Sequence, residues 1–184
     1  MRRWEGAGGA RFVTFSCQRR LALLGRAQIR DVFVEALEIA RKRHGFELFA
    51  WVVMPEHVHL LMRPKSGSLL SDALRSLKTS VAKRVLRRWL ELDAPVLEKI
   101  RTPRGELRFW QKGGGFDRNV RDLEEFCREV RYIHRNPVER GLVGRPEDWR
   151  WSSVRWWLGD RDGVLPCDPP PGDPAAWARW KGHV

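Results

Sequence analysis

The first apolar grouping in the chain is Arg11-Phe-Val-Thr-Phe-Ser-Cys17. Its β-branched and aromatic residues predict a strand. From Arg26 to His44 the period changes: Ile29, Phe33, Ala36, Leu37 and Ala40 recur at intervals of three and four. That spacing predicts a helix, with Gly45 placed to cap its C-terminus. Phe46 to Met54 and His57 to Met62 are two nearly continuous apolar runs joined by Pro55-Glu56. A link so short predicts an antiparallel pair. Ser68 then stands as an N-cap for a helix reaching about Leu90, with Leu70, Leu74, Leu77, Val81 and Val85 on one face. Leu107-Arg-Phe-Trp-Gln111 is a short strand candidate, and Lys112-Gly-Gly-Gly115 must turn tightly or flexibly. A last long helix is expected from near Asn119, striped by Leu123, Phe126, Cys127, Val130 and Ile133. Pro137 is expected to end it at about Asn136.

These elements predict an α+β fold. An antiparallel sheet of four or five strands would carry helices mainly on one face, with His57 and His59 on a central strand. One domain is expected over residues 1–159. Residues 160–184 form a Pro-rich tail holding five of the eleven prolines. The tail is expected to be an extended arm that lies over a DNA groove or stays disordered, with a short turn at Trp177 and Trp180. Core packing is expected for most of Trp149, Trp151, Trp156 and Trp157, the others offering stacking surfaces for unpaired bases.

Charge changes the picture. Lys and Arg number 35 against 23 Asp and Glu, a formal net charge of +12. That excess points to a polyanion, nucleic acid above all. On the Ser68–Leu90 helix, Arg75, Lys78, Lys83, Arg84, Arg87 and Arg88 face a single acid, Asp72, before Glu91. They are candidate DNA phosphate contacts. No apolar run reaches the roughly 18 residues needed to span a bilayer, and the first residues lack the apolar segment of a secretory signal. Cys17, Cys127 and Cys167 form no Cys-x-x-Cys, which fits a reduced, cytoplasmic protein without a cysteine zinc site. The Gly-rich stretch lacks a following Gly-Lys-Ser/Thr and is not read as a nucleotide phosphate loop.

The candidate chemistry starts at His57 and His59. With only Val58 between them, a strand points both imidazoles to one face. Such a pair is half of a metal site. Tyr132, the one tyrosine of the chain, lies opposite Leu123 on the helical wheel and away from the apolar stripe. Asn136 is one turn further on the same face. His134 falls within the stripe and is expected to be a packed structural histidine. Glu56 is expected to point away from the metal face, and Asp117 is a further polar candidate near the site.

Four segments occur in order: Val53-Met-Pro-Glu-His-Val-His-Leu-Leu61, Phe109-Trp-Gln111, Tyr132-Ile-His-Arg-Asn-Pro-Val-Glu-Arg-Gly-Leu-Val143 and Asp148-Trp-Arg-Trp-Ser-Ser153. Over about residues 10–158 the chain resembles the REP-associated tyrosine transposases, relatives of the single-tyrosine HUH transposases of bacterial insertion sequences. Its Lys112-Gly-Gly-Gly-Phe-Asp117 departs from that pattern, being more Gly-rich and lacking an aromatic pair before the Asp.

The resemblance implies a ferredoxin-like HUH-nuclease sheet and cleavage and joining of single-stranded DNA by transesterification. Tyr132 would attack a phosphodiester, leaving a 5′-phosphotyrosine and a free 3′-hydroxyl. A phenol ordinarily ionises near pH 10, so the attack needs a base or a cationic field. His57, His59 and the Asn136 carbonyl would hold Mg2+ or Mn2+, which would neutralise and orient the phosphate. The implied partner is single-stranded DNA bearing a hairpin of the repetitive extragenic palindrome kind, and the protein would be a monomer or homodimer. Because Tyr132 faces away from its own apolar stripe, it would meet the histidines across a cleft or across a subunit boundary. Two other functions fit the residues: a non-catalytic nucleic-acid-binding regulator, and a zinc-dependent hydrolase using His57 and His59.

Overall fold

The computed structural model describes residues 9–113, 115–162 and 165–170. Four strands, β1 (Arg11–Ser16), β2 (Glu47–Val53), β3 (His57–Arg63) and β4 (Phe116–Asn119), form one sheet in the order β2-β3-β1-β4. Every neighbouring pair is antiparallel. The helices are α1 (Ala27–His44), α2 (Leu70–Glu91), α3 (Val96–Ile100), α4 (Leu123–Glu139) and α5 (Val154–Trp157). The long helices and strands up to β4 run β-α-β-β-α-β, the ferredoxin-like arrangement. The expected α+β sheet is therefore present with four strands.

Strand alternation divides the apolar residues between two cores. Val13, Phe15, Val58, Leu60 and Met62 meet Phe33 and Leu37 of α1 and Leu77, Val81 and Val85 of α2 on one face. Phe12, Val52 and Leu61 meet Phe126, Val130 and Ile133 of α4 on the other. Two of the three long helices thus share a face, and α4 closes the second. β1 and β3 are the central strands, so a residue on the α4 side of either sits on the floor of whatever α4 covers.

The outer edge of β2 is covered as well. Val53 N donates to Trp151 O and Ser153 N to Trp51 O, each at 2.9 Å. Trp149 and Trp157 donate their indole N–H groups to the carbonyls of Val53 and Phe49. These tryptophans serve packing, as expected, and they leave β2 no free edge for another strand. Leu165 and Cys167 are buried in the α1–α2 core, and Asp168 exchanges bonds with the backbone of Leu48. This stretch of the Pro-rich tail is docked on the face away from the histidines, not over a groove beside them. The expected turn at Trp177 and Trp180 lies outside the described residues.

Several local expectations need correction. Leu107–Gln111 is not a strand, and its β-pairing among the described residues is limited to the single bridges Arg101↔Leu107 and Cys17↔Trp110. The fourth strand is Phe116–Asn119 instead. Helix α4 starts at Leu123 rather than near Asn119, because the Asp122 carboxylate accepts from Glu125 N at 2.7 Å and caps it. It runs past Pro137 to Glu139. Pro137 leaves one carbonyl of the last turn without its usual donor, while its own carbonyl accepts from Leu142 N at 2.9 Å. Ser68 is not the cap of α2, whose first helical residue is Leu70 with no side-chain cap.

Candidate active site

A cleft of about 770 Å³ opens between the α4 side of the sheet and α4. Its floor is Phe12, Thr14 and Ser16 of β1 with His57 and His59 of β3, and its wall is Glu129, Tyr132, Asn136 and Glu139 of α4. The pairings Thr14↔His59 and Ser16↔His57 fix both imidazoles against β1. Tyr132 and Asn136 reach the same space because four residues make about one helical turn. Of the residues proposed from sequence as a nucleophile and metal ligands, all four line this one cleft within one chain.

The histidines are held by named partners. His57 Nδ1 is 3.0 Å from Glu56 Oε1, and His59 Nδ1 is 2.7 Å from Thr14 Oγ1. A carboxylate only accepts, so His57 donates from Nδ1 and turns the Nε2 lone pair into the cleft. The Thr14 hydroxyl can hold His59 in the same tautomer. The two Nε2 atoms then face each other at 2.9 Å. Facing lone pairs repel unless a cation or proton lies between them. Two nitrogens bound to one ion at about 2.1 Å and at a right angle would stand about 3 Å apart. The observed 2.9 Å matches that spacing as well as that of an N–H···N hydrogen bond between the rings.

Asn136 completes the donor set. Its side chain is 5% exposed, Nδ2 is 3.5 Å from His59 Nε2, and the buried Oδ1 has no hydrogen-bond partner. A half-turn of the amide exchanges the two atoms, which brings the orphaned oxygen to the histidines. An imidazole pair with an unpartnered amide oxygen fits a divalent ion. Among the described residues, no cluster of three or more His, Cys, Asp or Glu side chains could hold a metal, so the fit rests on the amide. Burial lowers the pKa of His57, and it lowers that of His59, helped by the His57 charge, to about 3. Both imidazoles are neutral at pH 7, the form a cation needs.

Tyr132 stands against this pair. Its ring is 5.2 Å from His59 and 5.9 Å from Phe12, edge-on to each, and Phe12 stacks on His59 at 5.5 Å. The residue is 40% exposed and lines the cleft. Phe116, 56% exposed, lies at the β4 end of the cleft and meets Phe12 edge-on.

Four arginines, Arg20, Arg118, Arg128 and Arg140, make the cleft basic. Arg118 of β4 is bound to both Glu125 and Glu129 of α4. Arg140 donates to Glu56 Oε1 at 2.8 Å. The end of α4 is thereby tied to the carboxylate that orients His57.

Some sequence-based placements fail. Glu56 does not point away from the histidine face: it precedes the first strand residue and curls back onto His57. Asp117 faces the other side of β4 and pairs with Arg11 at 2.6 Å. Separately from these placements, the candidate DNA phosphate contacts Arg75, Lys78, Lys83, Arg84 and Arg87 lie on α2, across the sheet from the cleft. Arg84 pairs with Glu35 at 2.6 Å, and Lys78 is drawn under the Phe15 ring. His134 is fully buried and bonded to Ser153 Oγ at 2.9 Å, the packed histidine expected. Thr14, Arg20, Arg118 and Arg140 escaped the sequence reading. Only contact across strands gives them meaning, although Thr14 does share the period of Phe12 and Ser16.

Residues 10–113, which include both histidines, match the model of the family described as "Transposase IS200 like". The chain belongs to this family. Two curated relatives in it extend the likeness beyond the matched segment. The REP-associated tyrosine transposase of Escherichia coli K12 is 29% identical over 83% of this chain and 80% of its own length. The "Putative REP-associated tyrosine transposase" of Haemophilus influenzae Rd is 29% identical over 79% of this chain and 80% of its own length. Among solved structures, a REP-associated tyrosine transposase bound to a REP hairpin superposes with a TM-score of 0.67 at 26% identity. That superposition covers 94% of this chain and 91% of the other. Among the described residues of this IS200-like transposase, no helix is long and apolar enough to cross a membrane.

Proposed function

We propose that this IS200-like transposase cleaves and rejoins single-stranded DNA beside a hairpin, with Tyr132 as nucleophile. The observation that carries the reading is the exposed Tyr132 ring packed 5.2 Å from His59 in a cleft where two Nε2 atoms converge. The relative solved with a REP hairpin supports hairpin DNA as the substrate class, and the net charge of +12 suits it. The reaction would run in the cytoplasm, where cellular DNA is within reach.

The Tyr132 oxygen attacks phosphorus and the bond to the 3′-oxygen breaks. The phenol proton passes to solvent or a nearby base, and the released 3′-oxygen takes up a proton. A 5′-phosphotyrosine and a 3′-hydroxyl result. Attack by a 3′-hydroxyl reverses the step, so the bond energy is kept and no nucleotide triphosphate is needed. His57, His59 and the Asn136 carbonyl would hold Mg2+ or Mn2+. Such an ion supplies neutralisation of phosphate charge and a fixed orientation for in-line attack. Glu56 and Thr14 keep each Nε2 aimed inward. Phe116 offers its face to an unpaired base beside the cut, since an exposed ring accepts any base by stacking.

Denaturing electrophoresis of the protein mixed with labelled hairpin-bearing single strands tests the reading. A band of protein-linked DNA that needs Mn2+ and is lost in Tyr132→Phe and His57→Ala is expected. Tight binding to the hairpins with no linked band would instead make the chain a nucleic-acid-binding regulator.

A further inference from the structure

Arg20 differs from the other arginines of the cleft. Arg118 is held by Glu125 and Glu129, Arg128 lies 3.8 and 4.0 Å from the same two carboxylates, and Arg140 is held by Glu56. Arg20 is exposed and lines the cleft, close enough to add to burial in lowering the pKa of both histidines. Among the described residues, none of the ion pairs takes up its guanidinium.

Its backbone is also unusual. Arg19 and Arg20 have φ of 54° and 52°. Residues other than glycine rarely enter this left-handed region, and two in succession persist only where the surroundings over-determine them. Here they do. Cys17 N donates to Glu56 O and Gln18 N to Phe109 O, both at 2.8 Å. Arg19 N donates to Gln111 Oε1 at 3.1 Å, and its guanidinium donates to Lys99 O at 2.9 Å. The Phe109-Trp-Gln111 segment therefore serves as a clamp for this turn. Arg19 uses its side chain to anchor the turn. Arg20 is left free next to the Pro55-Glu56 link that leads into His57. Strain held at a cleft, with a cation presented unpaired, is an arrangement for meeting an anion.

We propose that Arg20 grips the substrate phosphodiester and stabilises the charge that develops as Tyr132 displaces the 3′-oxygen. This rests on the strand-transfer reading above. The guanidinium fork donates two N–H bonds to phosphate oxygens, a match that an ammonium makes only as a point charge. The new bond is from the Tyr132 oxygen to phosphorus and the broken bond is to the 3′-oxygen. Arg20 donates hydrogen bonds throughout and gives up no proton.

The test uses the full chain as Arg20→Ala, Arg20→Lys and Arg20→Gly. Two measurements are made: the salt dependence of binding to labelled oligo-dT, and the rate of adduct formation on the hairpin strand that wild type cleaves. Loss of one phosphate contact lowers the slope of log K against log salt by about 0.7 on single strands. Loss of a preorganised donor slows the chemical step by about 10²-fold. Both effects are expected in Arg20→Ala and Arg20→Gly, with the slope kept in Arg20→Lys. Glycine relieves the left-handed backbone, so Arg20→Gly should melt at or above the wild-type temperature while losing activity. A structural role would move stability and activity down together. Wild-type slope and rate in Arg20→Ala would overturn the proposal while leaving the Tyr132 reading standing. A lowered slope with no adduct from any hairpin, wild type included, would keep the phosphate contact and remove the strand-transfer reading.

Discussion

The ring of Tyr132 meets the ring of His59 edge-on at 5.2 Å, an angle of 72° between their planes. One residue comes from α4 and the other from β3, so the contact joins the helix face that carries the proposed nucleophile to the strand that carries the imidazoles. The ring, not the hydroxyl, makes the contact. Tyr132→Phe should therefore leave stability within about 0.5 kcal/mol of wild type, measured by urea unfolding. A large loss would mean that the hydroxyl has a structural partner.

Glu56 should matter to metal binding more than to folding. Its carboxylate accepts from His57 Nδ1 at 3.0 Å and receives Arg140 at 2.8 Å. Glu56→Gln keeps the size but loses the charge, and its amide can present a donor as well as an acceptor to Nδ1, so the tautomer is no longer fixed. Mn2+ affinity, read from the free-ion resonance in a titration, should fall about 10- to 100-fold. Unchanged affinity would mean that His57 needs no such partner.

Arg118 ties β4 to α4 through two carboxylates that are 3% and 6% exposed. Arg118→Ala leaves Glu129 without its nearest cation, while Glu125 keeps Arg121 at 3.3 Å. Breaking a buried pair from one side costs about 3–5 kcal/mol, and the lower end is expected because Glu125 stays paired. Denaturant midpoints compared with an unchanged m-value would check it.

Gly115 has φ of +82°, and a Cβ there would lie 2.1 Å from Thr14 O. No side chain fits without moving β1, and Thr14 is the residue that holds His59. Gly115→Ala should destabilise by more than the roughly 1–2 kcal/mol of the left-handed backbone alone. It should also weaken metal binding, because Thr14 moves. Substitution at Gly113, where nothing lies within 4 Å, should carry the backbone cost only.

Acid should destabilise the fold in a defined window. His59 and His134 have pKa values lowered by burial to about 3 from an ordinary 6.5. The unfolded chain then binds more protons than the folded one between those values, so stability is full above about pH 6.5 and falls as pH drops toward 3. Each histidine contributes up to about 1.4 kcal/mol per pH unit. His134→Gln should flatten part of that slope without altering the cleft. A slope identical to wild type would place the acid sensitivity elsewhere.

How much of this was legible depends on the range of the interactions. The histidine strand was readable because alternation has a period of two, and a His-Val-His run within an apolar segment has one orientation in a strand. Tyr132 and Asn136 were readable as one face because a helix repeats at about four residues. Strand β4 was not readable. Phe-Asp-Arg-Asn has no apolar alternation, and it is a strand because Arg11 to Thr14 pair with it and Arg11 binds Asp117. Glu56 was misread because alternation was extended one residue past the start of β3, into a turn where it does not hold. The basic face of α2 was read correctly as basic, but a helix pattern does not say which side of a sheet the helix will cover.

The most direct test of the central claim is to find where DNA becomes attached. The protein is incubated with the hairpin strand and Mn2+, denatured, digested with nuclease and trypsin, and its peptides are weighed. The account predicts a nucleotide remnant on the Tyr132–Arg135 peptide, joined through the tyrosine oxygen, and none in His59→Ala. A remnant on any other residue, or cleaved DNA with no peptide attached, would contradict it.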